Sequence, residues 1–100
     1  MKVNVQNPNF TADQKLIDFI GKKLTKLEQY YDKIIYADVF LKVQKTSGRT
    51  NKVVEILLSV PGNEFMVKKE ATSFEAGTDD CTQSLQRQLI RQKEKNSAIA

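Results

Sequence analysis

At 100 residues with a formal charge of +4, the chain is sized for one domain around one hydrophobic core, and its basic balance suits polyanionic partners or plain solubility. It has no histidine and one cysteine, which removes the commonest general base, a Cys–His dyad, a zinc cluster and any internal disulfide. No run approaches the roughly 20 apolar residues of a membrane span, and the opening MKVNVQNPNF lacks the apolar centre of a signal peptide, so the expectation is a soluble, cytoplasmic protein without a cofactor, a metal or a membrane.

Lys2 to Gln6 alternates, with Val3 and Val5 on one side, and predicts a short first strand stopped by Asn7-Pro8-Asn9. Thr11 with Gln14 has the form of a capping box. From there Leu16, Ile20, Leu24, Leu27 and Tyr31, widened by Ile17, fall in one arc and predict a helix to about Tyr31. The period then becomes two. Ala37, Val39, Leu41 and Val43 point one way, and Tyr36, Asp38, Phe40, Lys42 and Gln44 the other. Lys45 to Lys52, containing Ser47-Gly48, reads as a polar hairpin loop. Val54, Ile56, Leu58 and Val60 form the inward side of a third strand. Pro61-Gly62-Asn63 supplies a turn, and Phe65 and Val67 open a fourth strand ending near Ala71. Thr72 with Glu75 suggests a second capping box, starting a helix to about Asn96 and leaving residues 97–100 as a frayed tail.

The expected fold class is therefore α+β: a two-layer β-α-β-β-β-α unit over residues 1–100, with a four-stranded mixed sheet and both helices on one face. The first two strands, joined through a helix, are expected to be parallel, and the hairpin-linked ones antiparallel.

The last helix separates its residues by chemistry. Phe74, Thr78, Cys81, Leu85 and Leu89 form a buried stripe, while Arg87, Arg91 and Lys95 recur every four residues as a cationic line, with Lys93 displaced to another side. On the first helix, Lys15, Lys22 and Lys26 share the side opposite the apolar arc, and Lys23 lies at its margin. A lysine-rich face is often only a solvated face, and basic residues near a helix C-terminus also suit its dipole. Two such rows on helices covering one sheet are less easily explained that way. Together they suit a phosphate backbone, and folded RNA in particular, where shape and phosphate contacts dominate.

Other groups offer less. Tyr36 and Phe40, outward on strand two, are of a kind to stack bases, but cross-strand packing with Val53 and Leu57 accounts for them equally well, as does a partner-binding patch. Asp79-Asp80 begins a helix and favours its dipole, and Cys81 falls on the buried stripe. Gly48, Gly62 and Gly77 are isolated and make no phosphate cradle. Gly77 weakens its helix by about 1 kcal/mol relative to alanine, so close packing against the sheet is the expected reason for it.

The chain resembles the ribosome hibernation promoting factors, also called ribosome-associated translation inhibitors, some carrying the older label sigma-54 modulation protein. Lys26-Leu27-Glu28-Gln29-Tyr30-Tyr31-Asp32-Lys33-Ile34 is similar to that family's KLEQYFDRI segment. Arg87-Gln88-Leu89-x-Arg91-x-Lys93-x-Lys95 is similar to its RQLxKxKxK ending, and the element order is the same. The chain departs from the family's DMYAAID-like helix opening, where Ser73 to Asp79 stands instead with Glu75 in place of tyrosine. Ser84 replaces a lysine common before RQL.

The resemblance implies a short-form, non-enzymatic factor without a small-molecule substrate, monomeric when free. It implies binding to the small ribosomal subunit between head and body, over the messenger and transfer RNA sites, with translation blocked by occupancy. The residues it assigns to ribosomal RNA contact are Lys22, Lys23, Lys26, Arg87, Arg91, Lys93 and Lys95, with Lys15 added on geometry. Two alternatives stay open: a general binder of structured RNA, and a protein-interaction module acting on transcription machinery through the Tyr36, Phe40 and Leu57 row.

Overall fold

In the computed structural model the element order is β1 (Lys2–Gln6), α1 (Gln14–Thr25), a 3-10 turn (Lys26–Gln29), β2 (Tyr36–Thr46), β3 (Arg49–Val60), β4 (Asn63–Ala71) and α2 (Phe74–Ile99). The structure describes residues 1–7, 10–46 and 49–99, with side chains for all of these except 46, 49, 50 and 96–99. Pro8, Asn9, Ser47, Gly48 and Ala100, to which the strand stop, the hairpin turn and part of the tail were assigned, lie outside the described residues.

The four strands form one sheet in the order β1-β2-β3-β4. β1 runs parallel to β2, with Val3 opposite Ala37 and Val5 opposite Val39. The other two pairings are antiparallel, with Val39 opposite Ile56 and Ile56 opposite Val67. This register puts the apolar set of each strand on one side, where Ala37, Val39, Leu41, Val54, Ile56, Leu58 and Val60 are all buried. Both helices cover that side: α1 packs on β1 and α2, and α2 on β3 and β4. The layer is closed by Ile20, Leu24 and Leu27 from the first helical segment and by Phe74, Cys81, Leu85 and Leu89 from α2. Each such leucine contributes roughly 1.5–3 kcal/mol by leaving water. The mixed two-layer arrangement expected from the sequence is thus observed.

The details differ at the element ends. Asp13, not Thr11, caps α1: its carboxylate accepts the Leu16 N–H at 2.8 Å, three residues into the helix. Ser73, not Thr72, serves α2, its Oγ accepting the Ala76 N–H at 3.1 Å. The α-helix also stops at Thr25 rather than near Tyr31. The Thr25 hydroxyl donates to the Gly21 carbonyl at 2.7 Å, and the chain tightens into the 3-10 turn. Leu27 and Tyr31 stay buried through that change, so the apolar arc persists past the α-helix. The polar segment 45–52 is mostly strand, since β2 continues to Thr46 and β3 begins at Arg49. Lys52, on the helix-covered side, lays its ammonium 5.6 Å from the centre of the Phe74 ring, and this lets a charged residue occupy an inward position. Only Pro61 and Gly62 separate β3 from β4, and Gly62 holds the positive φ of 77° that a proline–glycine turn requires.

Gly77 lies against the sheet as its retention in a helix suggested. A Cβ there would fall 2.7 Å from Val54 Cγ2. On the open side of the sheet Met66 is 57% exposed, whereas Val53 is buried and Tyr36, Phe40 and Leu57 are half-buried among their cross-strand neighbours.

Candidate nucleic-acid interface

Lys15, Lys22 and Lys26 project from the side of the first helical segment turned away from Ile20, Leu24 and Leu27, and all three are exposed. Their α-helical spacing survives because Lys26 is the first residue of the 3-10 turn, before the change of pitch alters the phase. Arg87, Arg91, Lys93 and Lys95 are likewise exposed along the second half of α2. Among the described residues, none of these seven takes part in an ion pair. Lys23 differs. Its ammonium is 2.7 Å from the Asp79 carboxylate and 5.6 Å from the centre of the Phe19 ring, so its charge is largely answered within the protein.

The two rows share one layer but do not face each other. Arg91 and Lys95 flank Phe65 on the β4 side of α2. The cleft between the helices is bounded instead by Lys26, Asp79, Thr82, Gln83 and Gln86. Two cationic rails thus run on either side of a mainly neutral polar strip. Lys93 departs from its row toward the first segment, sharing a recess with Lys33, Tyr30, Tyr31 and the carboxylates of Glu28 and Asp32. Lys33 was not singled out as a contact from the sequence, because the helical phase used there is lost after the 3-10 turn.

Such a surface offers hydrogen-bond donors and positive charge at spacings set by rigid helices. The arginines can grip phosphates with two parallel bonds and the lysines act as point charges. Cys81 is buried with its thiol 3.5 Å from the Val54 carbonyl, and desolvation pushes its pKa from 9.0 to about 11, against a smaller opposing effect of Lys69. Among the described residues no group of three or more Cys, Asp or Glu is placed to hold a metal, and no helix is long and apolar enough to cross a membrane.

The profile of the family described as sigma 54 modulation protein / S30EA ribosomal protein matches residues 3–97. The chain belongs to that family. It is 32% identical over 99 residues to a ribosome hibernation promoting factor of Pseudomonas putida, covering 99% of this chain and 93% of the relative. It is 33% identical over 95 residues to the factor of the same name from Escherichia coli K12, covering 95% and 96%. A ribosomal subunit interface protein from Coxiella burnetii superposes with a TM-score of 0.83 at 19% identity, covering 94% of this chain and 99% of that one, and shows the shared fold. The N-terminal domain of Protein Y from Thermus thermophilus gives 0.78 at 25% identity, with 91% and 98% covered. The family's curated members matched by this chain are ribosome hibernation promoting factors.

Proposed function

We propose that this protein is a hibernation factor that binds the small ribosomal subunit through its helix layer and silences it by occupying the messenger and transfer RNA sites. The observation that carries the reading is the pair of exposed cationic rails, Lys15, Lys22 and Lys26 on one side and Arg87, Arg91 and Lys95 on the other, on the fold shared with the hibernation and interface factors. A rigid two-railed surface meets phosphates on two strands or two segments at once, which favours folded RNA over a single extended strand. Lys93 and Lys33 extend the contact at one end. Lys23 joins it to the extent that Asp79 releases it. The mechanism is occupancy, with no bond made or broken and no cofactor, and the free protein is a monomer acting as one domain in the cytoplasm.

Co-sedimentation with purified small subunits over a salt series tests this. With about five phosphate contacts, log K should fall against log salt with a slope near −3.5 to −4.5. Arg87→Glu with Arg91→Glu should abolish binding while circular dichroism and thermal unfolding stay unchanged. Binding indifferent to salt, or equal affinity for plain duplex RNA, would overturn the reading in favour of an uncharged surface or a general RNA binder respectively.

A further inference from the structure

A groove of about 830 Å³ runs between the outer edge of β1 and the first helical segment, meeting the interhelical cleft at Lys26. Its walls are Val3, Val5 and Ile17, Gly21 lies where α1 borders it, and Lys22 and Lys26 stand on its rim. β1 is an end strand, and its parallel ladder leaves half its backbone groups unused. In such a ladder each residue turns its N–H and C=O to the same side. The Lys2 N–H donates to the Ile35 carbonyl at 3.3 Å, so the even residues bond β2 and the N–H and C=O groups of Val3 and Val5 point to the free edge. The same two residues send their side chains into the groove. Gly21 keeps it open, since a Cβ there would have no atom within 4 Å.

We propose that this groove receives one unpaired base of the bound RNA. This rests on the RNA-binding reading above and deepens it. The base lies flat against the aliphatic wall, its polar edge bonds the free N–H and C=O groups of Val3 and Val5, and its flanking phosphates meet Lys22 and Lys26. Two exposed lysines, Lys22 and Lys26, outnumber the one carboxylate that also lines the groove, Asp18, which accepts a hydrogen bond from the Gln14 side-chain amide at 2.9 Å. An added peptide strand fits less well. β1 has five residues and only Val3 and Val5 turn their N–H and C=O groups outward, so an added strand would gain at most four bonds. The contact reads an unstacked nucleotide, so it would tell a folded ribosomal RNA with splayed bases from a plain duplex.

The test is Gly21→Leu, which projects an aliphatic side chain toward the groove from a position where a Cβ meets no atom within 4 Å, and replaces a helical glycine by a good helix former. Thermal unfolding establishes that the variant is folded. Small-subunit affinity is then measured over a salt series for the wild type, Gly21→Leu and Lys22→Ala. The expected result is that Gly21→Leu binds on the order of tenfold more weakly at every salt concentration with the slope unchanged, because a base contact carries no phosphate charge. Lys22→Ala should flatten the slope by about 1. Wild-type affinity in folded Gly21→Leu overturns the groove and leaves the small-subunit reading standing. If the wild type itself does not bind small subunits, that reading fails and a six-nucleotide single-stranded adenine oligomer decides the groove. Shifts of the Val3 and Val5 amide resonances that vanish in Gly21→Leu uphold it, and unmoved resonances overturn it.

Discussion

Lys23 of α1 and Asp79 of α2 are joined by a 2.7 Å ion pair, so one residue of the basic helix face is matched to an acid carried by the other helix. Their side chains are 33% and 42% exposed, and a pair this open to solvent contributes less than about 1 kcal/mol to stability. Its larger effect is on the charge offered to a partner. Lys23→Ala should leave the salt slope of small-subunit binding nearly unchanged, whereas Lys26→Ala should flatten it by about 1. Asp79→Asn should steepen it by up to about 1, by freeing the ammonium. A Lys23→Ala slope as flat as that of Lys26→Ala would show that RNA displaces Asp79.

Gly77 and Gly21 are both helical glycines, and the same substitution should have opposite effects on them. At Gly77 a methyl group would approach Val54 Cγ2 to 2.7 Å, and valine, buried and stiff at χ1, has little room to yield. Overpacking costs about 1–3 kcal/mol, which over most of that range exceeds the roughly 1 kcal/mol gained in helix propensity. Gly77→Ala should therefore destabilise the protein in urea unfolding. Gly21→Ala, with open space around the new methyl, should stabilise it by roughly 0.5–1 kcal/mol. The contact is checked by a double-mutant cycle of Gly77→Ala with Val54→Ala, which should show coupling of at least about 0.5 kcal/mol.

What could be read without coordinates was whatever repeats. The period-two face of Ala37, Val39 and Leu41 and the stripe of Cys81, Leu85 and Leu89 are all buried as their spacing implies. Element ends depend on single hydrogen bonds, and there the signal is degenerate. Thr11 and Asp13 are both good N-caps, and only the folded chain shows Asp13 reaching the Leu16 N–H. The end of α1 was hidden because Leu27 and Tyr31 keep the helical arc across a change to 3-10 pitch. In the hairpin, Lys52 looked like loop because its pairing with Phe74 lies outside any local pattern. The candidate interface divides the same way. The rows follow from spacing, but the Lys23–Asp79 pair and the opposite flanks taken by the two rows depend on how α1 meets α2, which no window of sequence encodes.

Thr78 is fully buried on the core side of α2, and among the described residues its hydroxyl has no hydrogen-bond partner. An unsatisfied buried hydroxyl forfeits about 1–3 kcal/mol of hydration without return. Thr78→Val keeps the shape and removes the polar atom. It should raise the thermal midpoint by several degrees, equivalent to about 1 kcal/mol in a domain of this size. A lowered midpoint would mean that the hydroxyl has a partner in solution, such as a trapped water.

Cys81 ties chemical reactivity to the integrity of the core. Its thiol is buried and its pKa is pushed up to about 11, chiefly by desolvation of the thiolate, so near neutral pH the folded protein presents almost no thiolate. Labelling by a disulfide reagent should therefore proceed only through opening of the fold, with the same opening free energy as the most protected amides. The sign of the pH dependence follows from the same shift. Between 9.0 and about 11 the unfolded chain loses a proton that the folded chain keeps, so this contribution, intact below that range, is lost as pH rises through it. Cys81→Ala, less stable near neutral pH because of the cavity it leaves, should lose less stability than the wild type across that alkaline interval. Parallel unfolding curves for the two proteins over the same interval would show that water reaches the thiol in the folded state.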